Sequence, residues 1–141
     1  MQHDRPHSFL VRFVAVAGVA LAMIVLGVLP SGAEDSTTLT GEYHWNQIRE
    51  SGDLRAVFTP TGEATWDVAF HFRFNGQPHV YEGTANGSLT DGELAGKVFN
   101  ENKRRTFTFE GKTRNGTFRG EHQEISRRGR VIDTGTLELA R

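Results

Sequence analysis

Four side chains in the last third of the chain could act together: Arg105, His122, Glu124 and Asp133. A histidine beside an aspartate is the pairing that moves protons in acid–base catalysis. An arginine with a glutamate can form a charge-assisted pair or hold a polar ligand. His79, Tyr81 and Asn100 would join them at one end of the fold, if the strand register argued below holds. Two uses are open to this cluster. It could contact a ligand at the mouth of an apolar cavity, or its members could simply satisfy one another as a half-exposed network.

Other chemistry is thin. His44, His71, His79 and His122 are scattered and lack the short spacing of a metal site. The chain has no Cys, which excludes a thiol nucleophile, a disulfide and a thiol-linked lipid anchor. No Ser/His/Asp order or phosphate loop is present, and no cofactor is implied. Asn86-Gly-Ser88 and Asn115-Gly-Thr117 match the glycosylation acceptor pattern, but both lie in or beside tight turns of a chain rich in Asn-Gly.

What must position the cluster is a set of strands. After Glu34 every stretch alternates with period two and is punctuated by turn residues. In Trp66–Phe74 the even positions Trp66, Val68, Phe70, Phe72 and Phe74 are large and apolar, while Asp67, His71 and Arg73 lie between them. Eight strands are expected: Leu39–Ile48, Asp53–Thr59, Ala64–Asn75, His79–Leu89, Leu94–Asn100, Arg105–Thr113, Thr117–Ile125 and Arg130–Leu139. The segment Gly87–Gly96 recurs 24 residues on as Gly111–Gly120, a period of one hairpin, which describes a meander.

Turn chemistry sets an expected register. A loop at Gly76-Gln77 would pair Phe74 with His79, Phe72 with Tyr81, Phe70 with Gly83 and Trp66 with Gly87. Asp91-Gly92 and Asn115-Gly116 are type I′ signals. The first would pair Leu89 with Leu94, Gly87 with Gly96 and Ala85 with Val98. The second would pair Phe118 with Thr113, Gly120 with Gly111 and His122 with Phe109. Thr59–Gly62 suits a turn with a glycine bulge, leaving Leu54, Ala56 and Phe58 inward. The last hairpin would set His122 opposite Asp133 and Glu124 opposite Val131.

Eight strands in up-and-down order can close on themselves, so the fold expected is an all-β antiparallel meander forming a small soluble barrel. Its outward positions, among them Glu42, Asp67, Glu82, Lys97, Glu110 and Glu121, are too polar for a lipid face. One end should be plugged by Phe58, Trp66, Leu89, Leu94, Phe118 and Leu137. The other carries the longer loops and the polar cluster.

Upstream of the strands, Arg5 and Arg12 precede an uncharged run of 17 residues, Phe13–Leu29, which ends at Ser31-Gly32-Ala33. That is the pattern of a secretory signal helix over residues 1–33, cleaved before Glu34, or else of a retained anchor. Residues 34–141 then form one domain, exported to the periplasm or secreted. From Glu34 on, 14 basic residues stand against 16 acidic ones. Glu34–Gly96 carries −7 and Lys97–Arg141 carries +5, the latter including Lys103-Arg104-Arg105 and Arg127-Arg128-Gly129-Arg130. No aromatic-rich nucleic-acid motif accompanies these basic loops.

Thr40-Gly41-Glu42-Tyr43-His44-Trp45 resembles the Gly-x-Trp-type opening strand of the calycin group, the lipocalins and avidin-like proteins. With the exported eight-stranded meander and its aromatic interior, the resemblance implies a calycin-like barrel and a habit of binding ligands. The function expected is therefore a non-catalytic exported barrel that binds a small apolar ligand at its mouth. One alternative is an envelope protein-binding or inhibitor module acting through basic rim loops. A second is an acid–base enzyme using His122 and Asp133. An open cavity favours the ligand, and a filled interior with projecting loops favours the protein partner.

Overall fold

Alternation along each strand becomes alternation between two faces, because successive side chains point to opposite sides. In a computed structural model, which describes residues 35–141, eight such strands run antiparallel in chain order and close into a barrel. They are β1 (Thr37–Trp45), β2 (Ser51–Gly62), β3 (Thr65–Phe74), β4 (Gln77–Gly87), β5 (Gly92–Asn100), β6 (Arg105–Arg114), β7 (Thr117–Ile125) and β8 (Val131–Ala140). Closure is made by β1 on β8, where Tyr43 faces Leu137 and Trp45 faces Gly135. This architecture is compatible, at the level of fold, with the calycin group. The expected signal segment lies outside the described residues.

The inward face is one continuous apolar core. Leu39, Ala56, Phe58, Val98 and Phe118 are wholly buried. Enclosing a side chain the size of Phe58 contributes about 1.5–3 kcal/mol. The inward assignment of Leu54, Ala56 and Phe58 holds, as does the pairing around Asn115-Gly116.

Four turns differ from the expected register. The β3–β4 turn is Asn75-Gly76, both at positive φ (50° and 73°), so Phe72 faces His79, Phe70 faces Tyr81, Val68 faces Gly83 and Trp66 faces Ala85. Pro78 takes part in this ladder opposite Arg73. Its missing N–H points toward β5, whose pairing with β4 begins only at Glu82, so proline is tolerated there. Asp91-Gly92 is no two-residue turn. The Ser88 hydroxyl accepts from the Thr90 and Asp91 amides at 3.2 and 3.1 Å, which builds a longer loop, and Leu89 tucks inward. Gly87 therefore faces Leu94, Ala85 faces Gly96 and Gly83 faces Val98. On β2 the strand continues past Thr59 through a bulge at Pro60–Gly62 and turns at Glu63-Ala64. In the last hairpin a bulge on β8 sets His122 opposite Gly135 and Glu124 opposite Asp133. The β4 and β5 shifts are slips of two residues, and a two-residue slip returns every side chain to the same face.

β1 stops at Trp45, short of Ile48, because the chain turns there into β2, the Trp45 amide donating to the Glu50 carbonyl at 2.7 Å. The Asn46 amide donates to the Thr134 carbonyl at 2.9 Å, and the Gln47 amide to Asp133 Oδ1 at 3.0 Å.

Candidate functional site at the barrel mouth

The barrel is filled rather than hollow. Tyr43, Trp45, Phe70, Phe72 and Phe107 meet in its middle, and the void left among them is about 30 Å³, room for no more than a few waters. The far end is shut by Phe58, Leu89, Leu94 and Phe118, all buried. Half-buried Trp66 lies beside them with its indole N–H donating to the Gly87 carbonyl at 3.0 Å.

Space opens at the other end as a bowl of about 350 Å³. Its apolar wall is Trp45, Phe72, Phe74, Tyr81 and Phe107. The rings interlock: Tyr81 stacks on Phe107 at 4.5 Å, and Phe72 stacks on His79 at 5.4 Å. Contacts of this kind contribute about 0.5–1.5 kcal/mol each beyond burial and hold the wall rigid. The polar side is made by Arg105, Glu124, Asp133 and His79, with Lys103 and Gln47 at the edge.

Arg105 stands on β6 and Glu124 on β7, and Arg105 Nη1 donates to Glu124 Oε1 at 2.5 Å. The Glu124 carboxylate is buried, while half of the Arg105 side chain remains in water. Directly across β7 and β8 from Glu124 is Asp133, also buried. Its Oδ1 accepts from the Gln47 and Thr134 amides at 3.0 and 2.7 Å, and its Oδ2 has no hydrogen-bond partner among the described residues.

Of the residues singled out by sequence, Arg105, Glu124, Asp133, His79 and Tyr81 come together around the bowl. His122 lies beneath it, lining the inner void and standing edge-on to Trp45 at 4.3 Å. His122 and Asp133 do not hydrogen-bond to each other: His122 Nε2–H donates to the His44 carbonyl, and Asp133 is held by backbone amides. Asn100 is a loop brace, donating to the Val80 carbonyl and accepting from the Lys103 amide.

Sequence reasoning missed Trp45, Phe72, Phe74 and Phe107 as wall residues, although their parity places them inside. Ile132 could not be found that way. It is the extra residue of the β8 bulge, thrown onto the rim out of alternation.

Burial dominates the electrostatics. It pushes the Tyr81 hydroxyl up to about 12, with nearby Glu124 adding to the rise and Arg105 opposing it. It lowers His79, helped by Lys103 and opposed by a hydrogen bond to the Phe74 backbone. It also lowers His122, against the pull of the His44 carbonyl and Asp133. Near neutral pH the bowl therefore presents a phenol and a neutral imidazole on an aromatic wall, with the Arg105–Glu124 pair at its side and Asp133 enclosed at its floor.

The fold and site together define a small closed up-and-down barrel with a filled interior and a shallow aromatic bowl at one mouth. Comparison with family models, curated proteins and solved structures finds no match for the chain.

Proposed function

We propose that this is an exported, non-catalytic binding protein that holds a small ligand in the bowl at the barrel mouth. The observation that carries the reading is the lining of the mouth: about 350 Å³ walled by Trp45, Phe72, Phe74, Tyr81 and Phe107 with polar groups converging on it, against about 30 Å³ inside the barrel. Ligand pockets begin at about 300 Å³ and combine an apolar wall with a few convergent polar groups. The ligand would sit in the mouth, above Trp45 and Phe107, rather than inside the barrel. Native mass spectrometry of the protein isolated from the cells that make it tests this. A stoichiometric small molecule, released on unfolding, is expected. Protein that carries nothing and takes up no small aromatic compound would contradict it.

A second reading, the one a filled interior favours, rests on the rim. Ile48, Val131 and Ile132 are exposed there, beside the exposed arginines 127, 128 and 130. Apolar residues ringed by cationic ones suit an acidic protein surface. A partner retained through the rim, and lost in an Ile48→Asp/Ile132→Asp variant, would favour that reading.

A further inference from the structure

We infer that the ligand of the bowl carries a cationic amine that sits on Asp133. The inference rests on the mouth-binding reading above and specifies the chemistry of that site.

Two carboxylates face one another across β7 and β8 at the floor of the bowl, and they are not equivalent. Glu124 is 6% exposed and has Arg105 as its cation. Asp133 is 3% exposed and has none among the described residues: its Oδ1 takes two backbone amides, while its Oδ2 is buried without a partner there. The other basic groups of the bowl do not supply that partner. Arg105 is committed to Glu124, and Lys103 stands exposed at the rim without an ion pair to Asp133. His79 is stacked on Phe72, and burial disfavours its charged form.

A buried acceptor left unmatched costs about 1–3 kcal/mol, and more when it is charged. Oδ2 is enclosed as the structure stands, so a ligand that parts the floor of the bowl and donates a hydrogen bond to it removes that cost. A ligand that also brings a positive charge neutralises the carboxylate. The aromatic wall of Trp45, Phe72, Tyr81 and Phe107 acts in the same direction, since a ring attracts a cation placed over its face. A bowl of about 350 Å³ is at the small end of ligand pockets, so the body attached to the amine is compact and apolar. An alcohol of the same shape could donate one hydrogen bond but would leave the charge unanswered.

Isothermal titration calorimetry with 2-phenylethylamine and 2-phenylethanol at pH 7.5 tests the assignment. The amine should bind at least about 10-fold more tightly, the size expected for a charge-assisted hydrogen bond. Asp133→Asn keeps an oxygen for the Gln47 and Thr134 amides but replaces the free acceptor with an amide NH₂. It should bring the two probes to within about twofold. If that variant does not fold, the ratio measured on the unaltered protein still decides. Equal binding of amine and alcohol overturns the amine assignment and leaves the mouth site standing. Binding of neither probe at millimolar concentration overturns both.

Discussion

His122 reaches across an entire strand to bond with His44. Its Nε2–H donates to the His44 carbonyl at 3.1 Å, yet His122 belongs to β7 and His44 to β1, with β8 between them. The crossing passes over Gly135, which pairs with His122 on one side and with Trp45 on the other. A side chain at this position would block the path: a Cβ on Gly135 would meet both the His44 carbonyl and the His122 ring. The bond thus stitches the seam where the barrel closes, directly below the bowl.

Gly135→Ala should therefore destabilise the protein by about 2–3 kcal/mol, at the upper end of overpacking costs, because the nearest obstacle is backbone and cannot rotate away. Urea denaturation measures this. An unchanged midpoint would show that the imidazole does not cross there.

Stability should fall as pH drops below about 6.5, and His122 should contribute to the fall. Burial lowers its pKa in the folded state. Between that lowered value and the ordinary one the unfolded chain binds the proton and the folded chain does not. Protonation therefore favours unfolding in this window, and stability rises with pH across it. His79 acts in the same sense. His122→Gln retains a donor for the His44 carbonyl but cannot titrate, so the drop in denaturation midpoint between pH 7.5 and pH 5.5 should shrink. A variant that loses as much stability as the parent over this range would contradict the assignment.

Arg105→Met leaves buried Glu124 without its cation. The half-exposed arginine limits the loss, which is expected at about 1–2 kcal/mol, between the surface and buried cases. Arg105→Met/Glu124→Leu should recover most of it, because no uncompensated charge remains. A double-mutant cycle showing no coupling between the two positions would mean that the pair does not hold the rim together.

These relationships were unevenly legible in the sequence. Period-two alternation exposed the faces, so Leu54, Ala56, Phe58 and Phe109 read correctly as interior. Register was harder, because shifting β4 by two residues leaves every face unchanged: Phe70 stays inside whether it faces Gly83 or Tyr81. Only local turn energetics decides between the two. Asn115-Gly116 announced its turn, whereas the Ser88 hydroxyl, which builds the β4–β5 loop, overrode the Asp91-Gly92 signal. At the mouth, parity brought Arg105, Glu124 and Asp133 to one side. The free oxygen of Asp133 was not legible, since it depends on an amide 86 residues away capturing the other oxygen. The His122–Asp133 pairing failed for a related reason: the β8 bulge that inserts Ile132 shifts the register at the site itself.

The central claim is that small molecules bind at the mouth end of the barrel and not at the plugged end. The chain's two tryptophans report on its two ends. Trp45 lines both the bowl and the inner void, and Trp66 lies at the plugged end with its indole N–H on the Gly87 carbonyl. Titrating ¹⁵N-labelled protein with benzyl alcohol, benzoate and 2-phenylethylamine, while following the two indole N–H resonances, separates the ends whatever the charge of the ligand. The account predicts that the Trp45 resonance moves saturably with at least one probe while that of Trp66 stays in place. Movement of Trp66 alone, or no movement of Trp45 with any of the three, would contradict it.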